Sequence, residues 1–208
     1  MLSRFRLEET VLDVKPRYNI APGQEAAVVV REATKTLAMM RWGLVPSWAK
    51  ELAIGNKMIN ARAETIAEKP SFKRLIERRR CLVLADGFYE WRKEARGKVP
   101  MRFVLKSREP FAFAGLWDRW RNPDGAELRT FTIITTAANE LMRPVHDRMP
   151  AILARDAEDP WLDDASGNTA AILSSLKPYP RELMEAYDVT TLVNSPKNDR
   201  PECITEAV

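Results

Sequence analysis

The sequence has 208 residues, 45% hydrophobic and 30% charged, with a formal net charge of +4. This composition is ordinary for a soluble globular protein, and the length suits one domain, which we expect to span residues 1–208 as a monomer. No apolar run approaches the roughly 20 residues that cross a bilayer, and the first residues lack the apolar core of a secretion signal, so we expect a cytoplasmic protein with no membrane partner.

Short apolar and β-branched runs predict strands at 26–31, 36–42, 81–84, 101–106, 111–116 and 129–136. The turn signal at 122–125, with the sequence Asn-Pro-Asp-Gly, separates the last two strands. Helices are predicted at 71–80, 169–176 and 181–187. Many short strands, few helices and no βαβ alternation predict an α+β domain with a curved, largely antiparallel, barrel-like β core and peripheral short helices.

Charge is distributed unevenly along the chain. Residues 69–108 contain 13 Lys and Arg against 4 Asp and Glu, whereas residues 156–208 contain 4 against 11. Lys and Arg contacts to phosphate supply most non-specific affinity for nucleic acid, so the basic segment favours a nucleic-acid partner. The alternative is a solvated helix face followed by an acidic region.

The two cysteines, Cys81 and Cys203, and the single histidine, His146, limit the available chemistry. Two distant cysteines do not form a disulfide framework, and without an export signal we expect both to be reduced thiols. One histidine with two distant cysteines is too few ligands for the usual zinc site, so we expect no metal and no cofactor.

Two residues are candidates for proton transfer. His146 lies in the segment 144–150, where flanking prolines favour a rigid loop, and histidine is the side chain whose unperturbed pKa lies nearest neutral pH. Glu90 is set among aromatic residues in the segment 86–91, and an apolar environment raises a carboxyl pKa, which suits a general acid. The alternatives are a structural histidine in a turn and a solvated glutamate.

Five segments, taken together and in order, are similar to one family. They are Arg17-Tyr18-Asn19-Ile20-Ala21-Pro22, Arg41-Trp42-Gly43-Leu44-Val45-Pro46, Ile59-Asn60-Ala61-Arg62-Ala63-Glu64-Thr65, Ala85-Asp86-Gly87-Phe88-Tyr89-Glu90-Trp91 and His146-Asp147-Arg148-Met149-Pro150. Singly, each is also explained by turn chemistry, aromatic packing or a surface strand. As a set they resemble the SOS-response-associated peptidase (SRAP) family, also called abasic-site processing proteins. The resemblance runs from about Leu2 to Asn198 and implies a single SRAP domain with a mixed, barrel-like β core.

The resemblance implies that the chemistry is a covalent trap. Family members bind single-stranded DNA and process their own N-terminus to expose a cysteine. The α-amine of that cysteine condenses with the aldehyde of a ring-opened abasic deoxyribose, and its thiol closes a thiazolidine. The catalytic residues implied for this chain are Asn60, Glu90 and His146, with Arg62 and Arg148 as phosphate contacts. The further DNA-contacting residues predicted with them are Asn19, Pro22, Trp42, Pro46, Trp48 and Thr135.

The N-terminus departs from the family pattern. Members begin Met-Cys-Gly-Arg-Phe, whereas residues 1–5 here are Met-Leu-Ser-Arg-Phe. The interval to the Arg17 motif is also shorter than in the family, so we expect that roughly fifteen N-terminal residues, with the nucleophilic cysteine, are absent from this sequence. A late start-codon assignment or a truncated chain is the simplest explanation, and a paralogue without the nucleophile is the other.

Two other functions stay open. A non-covalent single-stranded DNA binder would keep the basic groove and aromatic stacking without the trap. A thiol hydrolase would use Cys81, whose pKa the preceding arginines 78–80 would lower, with His146 as its base. Against this, Cys81 begins the apolar run 81–84, where a buried cysteine commonly acts as a small hydrophobe.

Overall fold

The computed structural model describes residues 3–5, 7, 12, 14–164 and 169–207. The strands in these ranges are β1 (Glu25–Arg31), β2 (Lys35–Trp42), β3 (Asn60–Arg62), β4 (Arg80–Ala85), β5 (Phe88–Glu94), β6 (Gly97–Leu105), β7 (Phe111–Arg121), β8 (Glu127–Ala137), β9 (Arg148–Pro150) and β10 (Met184–Asp188). The α-helices are α1 (Pro70–Arg78), α2 (Glu158–Leu162) and α3 (Thr169–Ser174). Turns of 3-10 helix lie at Ser3–Phe5, Leu52–Lys57, Ala63–Thr65, Arg155–Ala157, Arg181–Leu183, Thr191–Asn194 and Pro201–Ile204.

Five of these strands close into a barrel. The order is β2, β1, β4, β7 and β8, and β8 pairs back onto β2. The pairs within this order are antiparallel, whereas the closing pair is parallel, with Arg41 opposite Thr130 and Trp42 opposite Phe131. The prediction of an α+β fold with a curved, largely antiparallel barrel-like core and peripheral short helices is therefore confirmed.

The C-terminal half of β8 is where short strands meet the barrel. β3 runs parallel to it, with Arg62 opposite Thr135, and β9 runs antiparallel to it, with Arg148 opposite Ala137. β3 and β9 therefore both lie against the last residues of β8, although β3 is far from β8 in the sequence.

A second, antiparallel sheet has the order β10, β6, β5 and packs against the barrel. Phe88 of β5 stacks on Phe103 of β6, with ring centroids 5.2 Å apart, and meets Phe113 of β7 edge to face at 5.8 Å. Side chains two residues apart on a strand share a face, so this packing directs Glu90 to the side of β5 that Phe88 uses.

Apolar side chains cover both faces of the central strands. Val28, Val29 and Val30 of β1 are all buried, as expected for a strand with packing on both sides. On one face lie the three helices, including Phe72, Leu75 and Ile76 of α1, and the opposite face packs against the second sheet. None of the helices in the described ranges is long and apolar enough to cross a membrane.

The predicted helix at 181–187 is wrong. Arg181–Leu183 is a single 3-10 turn, and Met184–Asp188 is β10, whose Met184 lies opposite Leu105 of β6. The run is too short for its periodicity to separate helix from strand, and the free edge of β6 supplies the backbone partners that decide the outcome. The strand β5 was not predicted, because its alternation is masked by Arg92, Lys93 and Glu94.

Candidate functional site

A cluster of polar side chains surrounds the end of β8, and we refer to Arg62, Glu64, Thr135, His146 and Arg148 as the β8 cluster. From β9, the guanidinium of Arg148 reaches across β8 to the residues that follow β3. Its Nη1 and Nη2 donate to the two carboxylate oxygens of Glu64 at 2.6 and 2.9 Å, and Nη2 also donates to the carbonyl of Thr135 at 2.6 Å. The ion pair therefore joins the ends of β3, β8 and β9.

Arg148 and Glu64 differ in their access to solvent. The side chain of Arg148 is 18% exposed and that of Glu64 is 52% exposed. The hydrogen bond from Arg148 holds the pKa of Glu64 below its usual range, and the charge of nearby Arg62 acts in the same direction. The cluster thus contains two guanidinium groups of which only one is paired with this carboxylate, which favours binding of a further anion.

The ring of His146 is held by the main chain of the same segment. The backbone N–H of Arg148 donates to Nδ1 at 2.9 Å. Nδ1 also lies 3.2 Å from the carbonyl oxygen of Arg148, and the tautomer of the ring decides whether Nδ1 accepts in the first contact or donates in the second. The carboxylate of Asp147 lies 3.1 Å from Nδ1. His146 is exposed, and its Nε2 is the nitrogen left for chemistry.

Glu90 of β5 is a partly buried carboxyl. Burial raises its pKa, and the charge on His146 partly opposes that rise, which places the two groups within electrostatic range of each other. A carboxyl with a raised pKa holds its proton closer to neutral pH, which suits a general acid. Glu90 of β5 and His146 of the loop before β9 therefore interact electrostatically although they are far apart in the sequence.

Asn60 and Arg62 lie on β3 on either side of buried Ala61. Both are exposed, and the alternation of the strand gives them a common face. Asn60 lies opposite Ile133 and Arg62 opposite Thr135, so both stand beside the C-terminal half of β8. Thr135 itself is buried, and its hydroxyl lies 3.3 Å from Arg148 Nη2.

The two predicted stacking tryptophans lie in different environments. Trp42 is half-buried at the end of β2, where its indole N–H donates to the carbonyl of Ile59 at 2.9 Å and its ring stacks on Phe131. Trp48 is 64% exposed on the loop that follows buried Pro46. Trp48 is therefore the tryptophan with a free ring face.

The loop that carries Trp48 is fixed away from the β8 cluster. The backbone N–H of Ser47 donates to Asp118, which lies opposite Thr130. Thr130 precedes Thr135 by five residues, which corresponds to roughly 17 Å along the strand. A Cβ on Gly43, whose φ is +121°, would lie 2.8 Å from the carbonyl of Gly55, so this close crossing of the loop requires glycine.

The Arg17–Pro22 motif is fastened to residues 193–199, and we refer to these contacts as the Asn19 junction. Asn19 is 5% exposed, and its Nδ2 lies 3.0–3.2 Å from the carbonyls of Val193, Ser195 and Asn198. One carboxylate oxygen of Asp199 accepts the backbone N–H of Tyr18 at 2.6 Å and that of Asn19 at 3.1 Å. The amide nitrogen of Asn19 is thus directed inward, while Pro22 is exposed beside it.

The basic segment 69–108 does not form one surface. Arg80 is buried and donates to the carbonyls of Trp161 and Asp163, and burial lowers its pKa. Arg102 is also buried and donates to the hydroxyl of Tyr187 at 2.9 Å. The exposed cations are divided between α1 and the β5–β6 hairpin, so the local charge excess is partly structural.

The cysteines are not placed for nucleophilic chemistry. Cys81 is fully buried, and burial raises the pKa of its thiol well above the ordinary value. A Cβ on Gly115 would lie 2.8 Å from its sulfur, so the thiol packs tightly inside the barrel wall. Cys203 is buried as well. A hydrolase based on Cys81 and His146 is therefore not supported.

Sequence reasoning did not identify the ion pair of Glu64, because its partner Arg148 is 84 residues away in the sequence. In the ranges that the structure describes, no group of three or more His, Cys, Asp or Glu side chains is placed to hold a metal ion.

The chain is similar to known proteins of one family. Residues 1–196 match the family described as SOS response associated peptidase (SRAP). The chain is 50% identical over 191 residues to the abasic site processing protein YoqW of Bacillus subtilis, covering 91% of this chain and 85% of that protein. It is 37% identical over 223 residues to the abasic site processing protein HMCES of Gallus gallus, covering 91% of this chain and 66% of that protein.

The fold is also found in solved structures. A crystal structure of a protein from Bacteroides thetaiotaomicron matches with a TM-score of 0.81 and 35% identity, covering 89% of this chain and 82% of that one. The chain belongs to the SOS response associated peptidase (SRAP) family. Its curated relatives carry the name abasic site processing protein, which gives a family role in the processing of abasic sites in DNA.

Proposed function

We propose that this protein binds single-stranded DNA at abasic sites and that the β8 cluster, with Asn60 and Glu90, is its reaction site. The observation that carries the proposal is that Arg62, Arg148 and His146 lie together around the end of β8, with Glu90 within electrostatic range of His146, in a chain whose relatives carry the name abasic site processing protein. Two arginines suit a phosphate backbone, and two titratable groups suit the opening and condensation of a sugar aldehyde.

The proposed chemistry is a covalent trap made by an N-terminal cysteine. The α-amine adds to the aldehyde carbon, and the resulting hydroxyl leaves as water with a proton that Glu90 supplies. The thiol then adds to the imine carbon, its proton passes to the nitrogen, and a thiazolidine ring closes. His146, through Nε2–H, protonates the ring oxygen as its bond to the anomeric carbon breaks, and the hydroxyl on that carbon gives its proton to water to form the aldehyde. Asn60 positions the amine. We further propose a monomeric, cytoplasmic domain over residues 1–208 that acts without metal or cofactor.

The first prediction follows from residue 1 of the sequence, which is Met. Its α-amine, with an ordinary pKa of about 7.7–8.0, is partly neutral at pH 7 and can form an imine, but it has no thiol on the same residue. We expect residues 1–208 to bind an abasic single-stranded oligonucleotide in a salt-dependent manner and to give no heat-stable adduct. The same chain preceded by a segment of about fifteen residues that begins Cys-Gly-Arg-Phe should give a stable adduct by mass spectrometry.

An intact oligonucleotide without an abasic site is the control for covalent capture. A heat-stable adduct formed by the chain as printed would contradict the role of the N-terminal cysteine. Salt-dependent binding with no adduct in either form would favour the non-covalent binder. No salt-dependent binding to single-stranded DNA would contradict the proposed function as a whole.

A further inference from the structure

The ion pair between Glu64 and Arg148 places a negative charge at the proposed DNA-binding surface. DNA is a polyanion, so an exposed carboxylate there lowers the affinity for DNA unless it also supports binding in another way. Glu64 is 52% exposed, yet both of its oxygens are held by the one guanidinium of Arg148. A two-point contact of this kind fixes orientation as well as charge.

The surroundings of Arg148 show what that contact fixes. Its Nη2 donates both to Glu64 and to the carbonyl of Thr135, so hydrogen bonds to two different residues hold the guanidinium in place. Its Nε is buried and has no hydrogen-bond partner among the described residues. Its backbone N–H holds His146 at Nδ1. A change in the position of Arg148 would therefore disturb both the proposed phosphate contact and the loop that contains His146.

We propose that Glu64 is a positioning residue: it holds the Arg148 guanidinium in the orientation that binds DNA phosphate, with Arg148 in turn ordering the His146 loop. This inference rests on the proposed function, because it assigns Arg148 a DNA phosphate as its ligand. It adds a residue to the site that touches neither the sugar nor the amine.

The sign of one substitution separates positioning from simple charge. Glu64→Gln removes a negative charge beside a polyanion, so bulk electrostatics alone predicts tighter binding. Positioning predicts weaker binding, by about tenfold in Kd, because the bidentate pair that seats Arg148 is lost. The measurement is fluorescence anisotropy of residues 1–208 with a single-stranded oligonucleotide that carries a tetrahydrofuran abasic analogue. Glu68→Gln, an exposed glutamate four residues on, is the matched charge control and should bind as tightly as the parent or slightly more tightly.

A double-mutant cycle tests whether the effect passes through Arg148. Lysine cannot make the two-point contact, so Glu64→Gln should cause no further loss in an Arg148→Lys background. Additive losses would overturn the proposal, as would unchanged or tighter binding by Glu64→Gln. A parent chain that does not bind DNA would contradict the proposed function itself, which is a different outcome.

A measurement without DNA isolates the positioning step. In the parent, the Arg148 side-chain N–H signals in a 1H–15N spectrum should be resolved and protected from exchange with water. In Glu64→Gln these signals should broaden or disappear, while thermal unfolding stays close to that of the parent. Retention of the protected signals in the variant would overturn the proposal even if DNA affinity fell.

Discussion

Two regions of the molecule use the same kinds of residue for different ends. In the Asn19 junction, an asparagine, an arginine and an aspartate face protein groups, and the amide nitrogen of Asn19 is surrounded by three carbonyls. In the β8 cluster and at neighbouring Asn60, the polar side chains lie largely at the surface, and Asn60, Arg62 and His146 are exposed. What differs between the regions is how far each polar group has already found a partner.

This difference shows why a motif rich in polar residues is not by itself a binding site. A buried amide that is saturated by carbonyls contributes to stability and offers nothing to a ligand. An exposed polar group can still bind a substrate, and a carboxyl whose pKa is raised, such as that of Glu90, can take part in proton transfer. The two regions should therefore respond to substitution in opposite ways, one in stability and the other in reaction rate.

The largest expected effect is on rate in the β8 region. In a chain that carries the N-terminal cysteine, Glu90→Gln and His146→Ala should each slow crosslinking by about 10²–10⁴-fold, the usual contribution of general acid–base catalysis. The measurement is single-turnover formation of the adduct, followed by denaturing gel. DNA affinity should stay nearly unchanged, because neither side chain is assigned a phosphate contact. If both variants react at the parent rate, the assigned roles are wrong.

The next effect is on stability in the Asn19 junction. Asn19→Ala removes a buried amide donor that faces the carbonyls of Val193, Ser195 and Asn198, and should lower the free energy of unfolding by about 2–3 kcal/mol. Denaturant unfolding measures this, with the exposed Asn56→Ala as the matched control. Below the unfolding transition, the variant should bind abasic DNA as the parent does. A loss of affinity without a loss of stability would instead support the predicted DNA contact by Asn19.

The smallest expected effect is a pH-dependent change in the free energy of unfolding on substitution of Glu90. Burial raises the pKa of Glu90, so the folded state favours the protonated carboxyl more than the unfolded state does. The favourable contribution is fully present below the ordinary carboxyl pKa and is lost as pH rises through the raised value. Glu90→Gln should therefore be more stable than the parent at neutral pH, and the gain should vanish as pH falls to about 4.

The exposed Glu77→Gln on α1 is the control for this pH dependence and should show no comparable gain. A Glu90→Gln variant that is less stable than the parent at pH 7 would mean that the carboxylate, rather than its neutral form, is the species that the fold stabilises.

The barrel strands were predictable because each buries apolar side chains. Val28–Val30 and Leu82–Leu84 are runs of consecutive apolar residues, so the sequence alone indicates that they are buried, as they are in the structure. β5 and β10 were not predictable in the same way, because their pairing with β6 depends on a partner edge that no local pattern reports. Local propensity decides an element only where tertiary contacts do not override it.

For the site, the motifs indicated which residues to examine, but not which ones have partners. Asn60, Arg62 and Thr135 do lie together, because β3 and β8 pair in register. Trp48 and Asn19 lie in other environments, as a free ring on a distant loop and as a buried amide. The ion pair of Glu64 with Arg148 depends on side chains that meet across β8, and the spacing of these residues along the chain does not predict it.

The Asn19 junction also sets an order in time for folding. Tyr18 and Asn19 are made early in synthesis, but Asp199, which accepts both of their backbone N–H groups, is made about 180 residues later. Ribosomes add roughly 5–20 residues per second, so the Arg17–Pro22 segment waits many seconds for the residues that hold it. Until residues 193–199 emerge, the segment that leads into β1 lacks these hydrogen-bond partners. Formation of the Asn19 junction is therefore a late, long-range step, of the kind that slows folding most.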